Sequence, residues 1–310
     1  MQKTRKKIII LVLGLIFCFF GSIDFAHAAD PISLKISPLT YKLTIKKGEN
    51  DTQIVSIINP NQLAIKVIAE TSDFVQGDEE GSPKFVDKGA GKTALASWID
   101  IDRKEIPLEP NEKKDISFTV NVPNDAENGG HYAAIFFKTV PKEDEGGQIT
   151  ISNRVGSLVL VTVPGDIKST GEIVEFRTPK YSEKGPIDFV ARFKDTGTVH
   201  YQLNGTITIT DYFGKEVTKL DLPEHIVLPD SIRRFEAQWP VKWSIGRYEA
   251  VLEMRDGDGN LRTSNIIFYI FPWKIALVVL ALIILLIVII IIVKKALKRK
   301  NNSTITLKQP

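Results

Sequence analysis

Between Thr52 and Phe271 the chain alternates short apolar or β-branched runs with turn residues roughly every 8–15 positions. "TQIVSII", "AIKVIAE", "ISFTVNV", "YAAIFFKT" and "SLVLVTV" fall in the first half, and "PIDFVARF", "GTITITDYF", "RRFEAQW", "YEAVLEM" and "IIFYIF" in the second. Apolar side chains at every second position line one face of a strand, and no stretch before residue 275 sustains a helical repeat. The pattern predicts an all-β ectodomain of two tandem immunoglobulin-like antiparallel β-sandwiches. The polar stretch "VPGDIKSTGE" (Val163 to Glu172) separates them, placing the first sandwich over residues 30–166 and the second over 167–271. The acidic, Gly-rich "PKEDEGGQ" (Pro141 to Gln148), closely flanked by strands, reads as a solvated hairpin loop.

The two halves share an internal pattern. Leu108-Glu109-Pro110 precedes "KKDISFTVNVP" and then Gly130-His131-Tyr132-Ala133-Ala134; Leu228-Pro229 precedes "RRFEAQWPV" and then Gly246-Arg247-Tyr248-Glu249-Ala250. A Pro-containing turn opens one strand and Gly-x-Tyr-x-Ala opens the next, as in a sandwich whose corner tyrosine tucks its hydroxyl against upstream backbone. Tyr132 and Tyr248 are the predicted corner tyrosines. Alternation puts Tyr132, Ala134 and Phe136 on one face, with His131, Ala133, Ile135 and Phe137 on the other. Arg247 stands where the first half has His131, which predicts that His131 is a turn-adjacent surface residue rather than a catalytic base.

The chain ends set the topology. "MQKTRKK", an apolar run and "FAHAAD" make residues 1–28 a signal peptide, with Ala26-His27-Ala28 at the cleavage site. Ile275 to Val293 is an unbroken apolar run, and nineteen helical residues span about 28 Å, the hydrocarbon thickness of a bilayer. Residues 273–293 therefore read as a transmembrane helix entered through Phe271 and Trp273, and the basic tail 294–310 marks the cytoplasmic side. The expected location is the cell membrane, single-pass, with the ectodomain outside. Residues 30–272 hold 29 basic and 36 acidic residues, so no basic footprint for nucleic acid exists on the exported part.

Chemistry-bearing residues are sparse. The one cysteine, Cys18, lies in the leader behind Phe17, which is too large for a lipoprotein site; no disulfide, thiolate metal site or cysteine nucleophile is expected. His131, His200 and His225 are far apart and carry no metalloprotease spacing, so neither metal nor cofactor is expected. "RDGDGN" (Arg255 to Asn260) lacks the Gly and Glu of a calcium loop and reads as a tight turn. Asp100 and Asp102 alternate on one strand and could form a glycosidase pair, although a solvated strand face is the commoner arrangement. Trp98 is either a core residue or an aromatic platform for a sugar, and Trp98 with His131 are the residues assigned to ligand contact. Trp239 and Trp243 share that ambiguity. The Gly77 to Ser97 stretch, whose Gly91-Lys92-Thr93 lacks the earlier Gly of a phosphate loop, reads as a mobile surface loop.

"SLKISPLTYKLTIKKGENDTQIVSIINPN", "LEPNEKKDISFTVNVPNDAENGGHYAAIFF" and the Gly-x-Tyr corner before the membrane helix give the chain a layout that resembles the WxL-interacting surface proteins of Gram-positive bacteria. That resemblance implies a peptidoglycan-binding first domain and a second domain linked to host or matrix binding. The extended strand, "INP" and "LEPNE" turn occur in pilus-chaperone-like sandwiches as well. The expected function is a non-catalytic, membrane-anchored cell-surface adaptor that binds wall peptidoglycan, other surface proteins or both. A wall-modifying glycosidase and an assembly chaperone acting by β-strand addition are the alternatives.

Overall fold

The computed structural model describes residues 33–89, 91–140 and 153–305. The leader read over residues 1–28 and the loop read over Pro141 to Gln148 lie outside the described residues, as does part of the tail.

The first sandwich contains β1 (Lys35–Ser37), β2 (Thr40–Thr44), β3 (Asn50–Ile58), β4 (Ile65–Gln76), β5 (Pro83–Val86), β6 (Ile99–Ile101), β7 (Glu105–Leu108), β8 (Lys113–Asn121), β9 (Gly129–Val140) and β10 (Arg154–Val163). One sheet has the order β1-β3-β8-β6; the other runs β2-β10-β9-β4-β5, with β7 also on β4. Inward positions of both sheets, among them Val55, Ile57, Phe118, Val120, Ile135 and Phe137, are fully buried and form one apolar core. β9 and β10 pair antiparallel from Lys138↔Arg154 to Gly129↔Val163.

The second sandwich contains β11 (Gly171–Arg177), β12 (Tyr181–Ser182), β13 (Ile187–Asp195), β14 (Tyr201–Leu203), β15 (Gly205–Asp211), β16 (Glu216–Asp221), β17 (His225–Val227), β18 (Ile232–Trp239), β19 (Gly246–Arg255) and β20 (Leu261–Ile270). Its sheets run β11-β13-β18 and β12-β20-β19-β15-β16, with β14 and β17 as a separate ribbon. Phe189, Phe193, Phe235, Trp239, Leu252 and Phe268 belong to its own core, so Trp239 is a packing residue.

Two pairs depart from the antiparallel rule. β2 runs parallel to β10 and β12 parallel to β20. In both sandwiches the opening strand lies in one sheet and its continuation crosses to the other, where it meets the last strand of the domain. The sequence repeat has the same counterpart in the turns. Glu109-Pro110-Asn111-Glu112 and Leu228-Pro229-Asp230-Ser231 each close with an i+3 to i hydrogen bond (3.1 and 3.2 Å), and Asn111 and Asp230 both have φ of 58°. Asn and Asp tolerate that left-handed conformation better than other non-glycine residues.

Phe271 and Pro272 alone separate β20 from helix α1 (Trp273–Ile305). Its segment Trp273–Lys295 is long and apolar enough to cross a membrane, and its apolar stretch is not buried against the rest of the chain. The helix runs on past Val293 into the basic tail.

Candidate binding groove between the two sandwiches

The hairpin start "NGGHYAAIFF" is where the sandwiches meet. Gly129 has φ of 127°, and a Cβ there would lie 2.5 Å from the carbonyl oxygen of Thr198 in the second sandwich. Without that side chain, Gly130 N–H reaches the same carbonyl at 2.9 Å. Gly129 thus serves a close backbone approach, while Gly130 leaves room for the Tyr132 hydroxyl, 1.9 Å from where its Cβ would lie.

Tyr132 is buried, but not as a corner within its own sandwich. It faces outward from the six-stranded sheet, and its hydroxyl accepts a hydrogen bond from the backbone N–H of His200 at 3.1 Å. The expected upstream partner is replaced because the second sandwich covers this face. Tyr248 has upstream partners instead: Ser244 Oγ and, at 3.4 Å, the Ile245 carbonyl.

His131 also departs from expectation. It is 3% exposed, with Nε2 3.0 Å from the Glu127 carbonyl, Nδ1 3.3 Å from the Ala94 carbonyl and its ring 4.4 Å from that of Trp98. The face holding Ala133, Ile135 and Phe137 is the core face, and a loop closes over its end. Burial removes His131 from ligand contact; the analogy with Arg247 fails, since that residue is partly exposed.

The Gly77 to Ser97 stretch is likewise not wholly irregular. β5 folds back on β4 through Asp73↔Val86 to Gln76↔Pro83, and the hairpin tip reaches the second sandwich. Glu79 accepts from Arg192 Nε at 2.8 Å and from its Nη2, and the Glu79 carbonyl accepts from Arg234 N–H at 2.8 Å. The Arg192 hydrogen bond holds the Glu79 carboxyl below its usual range and, with Glu175, raises the guanidinium further. Gln76 Nε2 donates to the Ile232 carbonyl. Asp73, fully buried, accepts from Gly89, Leu95 and Ala96 N–H at 2.6–2.7 Å and ties down the rest of the loop.

These contacts bound a groove of about 360 Å³. Phe74, Leu158, Leu160, Ile226 and Leu228 supply its apolar lining, and Lys42 and Arg233 stand at it with Glu224, His225 and Gln202. Burial depresses the Arg233 guanidinium and the neighbouring His225 imidazole. Arg233 Nε is buried without a partner.

The groove also contains the edge of a sheet. Leu39 O accepts from Leu158 N–H, and Ile45 N–H donates to Thr162 O, so odd-numbered residues of this strand face β10. The N–H and C=O of Thr40, Lys42 and Thr44 therefore point away from β10, where no described strand pairs with them.

A second groove, of about 610 Å³, is lined by residues of the first sandwich alone. Trp98, Asp100, Glu70, Lys104 and Asn121 line it. Trp98 is partly buried on the core; Asp100 is exposed on β6, and Asp102, expected on the same strand, is exposed just past its end because β6 stops at Ile101. Arg255 to Leu261 is the tight β19–β20 turn; Asp256 accepts from Asn260 N–H and from Arg262, with nothing resembling a calcium cage. Among the described residues no group of three or more His, Cys, Asp or Glu could hold a metal ion.

No family model matches the chain. No curated protein sequence matches it. Its trace is similar to a chaperone in a chaperone–tip adhesin complex of CFA/I fimbriae biogenesis, with TM-score 0.40 and 12% identity over 76% of this chain and 98% of that one. It is also similar to the class 5 fimbriae chaperone CfaA, with TM-score 0.39 and 10% identity over 76% and 99%. The E. coli chaperone DraB gives 0.38 and 12% over 76% and 97%.

Proposed function

We propose that the chain is a membrane-anchored, non-catalytic protein-binding module that takes an extended segment of a partner protein along β2 in the groove between its sandwiches. The unpaired main-chain groups of Thr40 and Lys42, set beside an apolar groove, are the observation that carries this reading. An added strand would take hydrogen bonds from that edge, while its side chains on the groove side would lie beside those of Thr40 and Lys42. Lys42 and Arg233 favour a segment with an acidic group beside its apolar residues. The apolar span of α1 and the lysines after Val293 support a reading in which the sandwiches stand outside the cell membrane, with an exported or surface protein as the partner. This narrows the adaptor role to protein partners and adopts the strand-addition geometry of the chaperone alternative, with the anchor holding the complex at the membrane.

Site-specific photo-crosslinking tests it in the full chain in its own membrane. A probe at Gln202 should capture a discrete protein, and Lys42→Glu with Arg233→Glu should abolish capture. Capture from Ser97 alone, with none from Gln202, would sink the groove reading. That outcome would favour a second one, in which the groove beside Trp98 binds wall glycan on its aromatic and polar lining.

A further inference from the structure

Beyond the groove, one end of the second sandwich exposes aromatic and aliphatic side chains that no packing within the chain explains. Phe213 is 89% exposed, Ile245 68%, Tyr212 67% and Trp243 64%. The register places them together. Gly246 pairs with Ile270, so Ile245 stands beside Phe271 and Trp243 lies in the same loop. Asp211 pairs with Tyr248, itself opposite Phe268, so the Tyr212-Phe213 turn projects to the level of β20's last residues. Tyr181 pairs with Tyr269 on the other flank. Strand β20 enters α1 after only two residues, which keeps these tips within a strand or two of the helix, on the order of 5–10 Å laterally.

The charges around them have one prevailing sign. Lys180, Lys184, Lys215, Lys242, Arg247 and Lys274 belong to the same turns and strand ends. Of the nearby acids, Glu183 is paired with Lys274 at 2.7 Å, Asp211 accepts from the N–H groups of Phe213 and Lys215, and Glu216 opens β16 next to Lys215. Arg247 lies 5.8 Å over the Tyr212 ring and Lys180 5.7 Å over that of Tyr181. The second loop is braced from behind: Gly185 lies so close to Val241 that a Cβ would sit 1.7 Å from its carbonyl oxygen.

We propose that this end of the second sandwich docks on the lipid surface, with Tyr212, Phe213, Trp243 and Ile245 in the headgroup region. Aromatic rings with cations beside them suit the bilayer interface, where one part of the side chain is apolar and the other wet. An exposed apolar patch continuous with a spanning helix has the bilayer as its nearest apolar phase. The ectodomain then stands in a fixed orientation, with the groove held away from the membrane, rather than swinging on a tether. The inference rests on α1 spanning the bilayer.

The test uses the full chain with Cys18→Ser, reconstituted in vesicles of phosphatidylcholine and phosphatidylglycerol. Nitroxide labels are placed singly at Tyr212→Cys, at Ile284→Cys within α1 and at Arg255→Cys on the far end of β19. Docking predicts that labels at 212 and 284 are shielded from a water-soluble relaxant while the label at 255 is not. Adding Phe213→Ser and Trp243→Ser, both at exposed positions, should return the 212 label to water without moving the 284 label. A shielded 284 label beside a fully accessible 212 label would overturn docking and leave the anchor intact. An accessible 284 label would overturn the anchor and docking together.

Discussion

Gly129 makes a close backbone approach between the sandwiches. Its φ of 127° and the 2.5 Å from a would-be Cβ to the Thr198 carbonyl oxygen exclude any other residue without movement of backbone. Gly129→Ala should cost on the order of 1–3 kcal/mol from backbone strain alone, read as a lower thermal unfolding midpoint. Gly214, with φ of 79° and open space around it, lacks the clash and should respond less. Two buried titratable groups beside this contact oppose each other. Burial pushes the Asp195 carboxyl up to about 7, with the Asp230 charge adding and the Gly197 N–H subtracting. Burial also holds His200 down at about 4, helped by Lys42. The Asp195 contribution is full below 3.8, its ordinary value, and is lost as pH rises through about 7. That of His200 is present above 6.5 and lost as pH falls through about 4. Asp195→Asn keeps the acceptor for Gly197 and removes the first effect. Its stability should exceed the parent's at pH 8, by up to about 4 kcal/mol at 1.4 kcal/mol per pKa unit, and converge on it near pH 4. Equal midpoints at pH 8 would contradict the assignment.

The β4–β5 hairpin ties the first sandwich to the second through Glu79, Arg192 and Arg234. Glu79→Ala should speed amide exchange at residues 77–82 and leave the β9–β10 hairpin unchanged; equal protection in both proteins would mean that the tip is held by other contacts. This element shows where legibility in the sequence ended. The strands with strict alternation, such as "ISFTVNV" and "YEAVLEM", read directly because one face is buried in a sandwich. The paired Pro turns were legible because Pro110 and Pro229 each stand just before a strand that leads to a Gly-x-Tyr-x-Ala start. β5 was not, since four residues, two of them exposed, carry no period. Nor was the fate of Tyr132 or His131. Alternation gave their faces correctly, but which face meets water depends on the second sandwich and on a loop that local pattern does not describe. The groove was missed for the same reason: its lining comes from positions between Thr40 and Arg233 in both sandwiches. Two lone signals pointed to it, Leu158 and Leu160 on the outward face of β10, which a solvated sheet face would not hold.

As a whole, the molecule is two sandwiches locked by backbone and ion-pair contacts, with one long apolar helix following the second. On the account proposed here, the anchor and the docked end fix the body, and the groove presents β2 as an open edge. The most direct test is amide hydrogen exchange across β2 in the full membrane-embedded chain, with and without a synthetic peptide of the segment captured through Gln202. Strand addition predicts that the amides of Thr40, Lys42 and Thr44 slow by an order of magnitude or more when the peptide is present, while those of Tyr41 and Leu43, already facing β10, change little. Unchanged exchange at Thr40 and Lys42, with new protection appearing instead around Trp98 and β6, would contradict it.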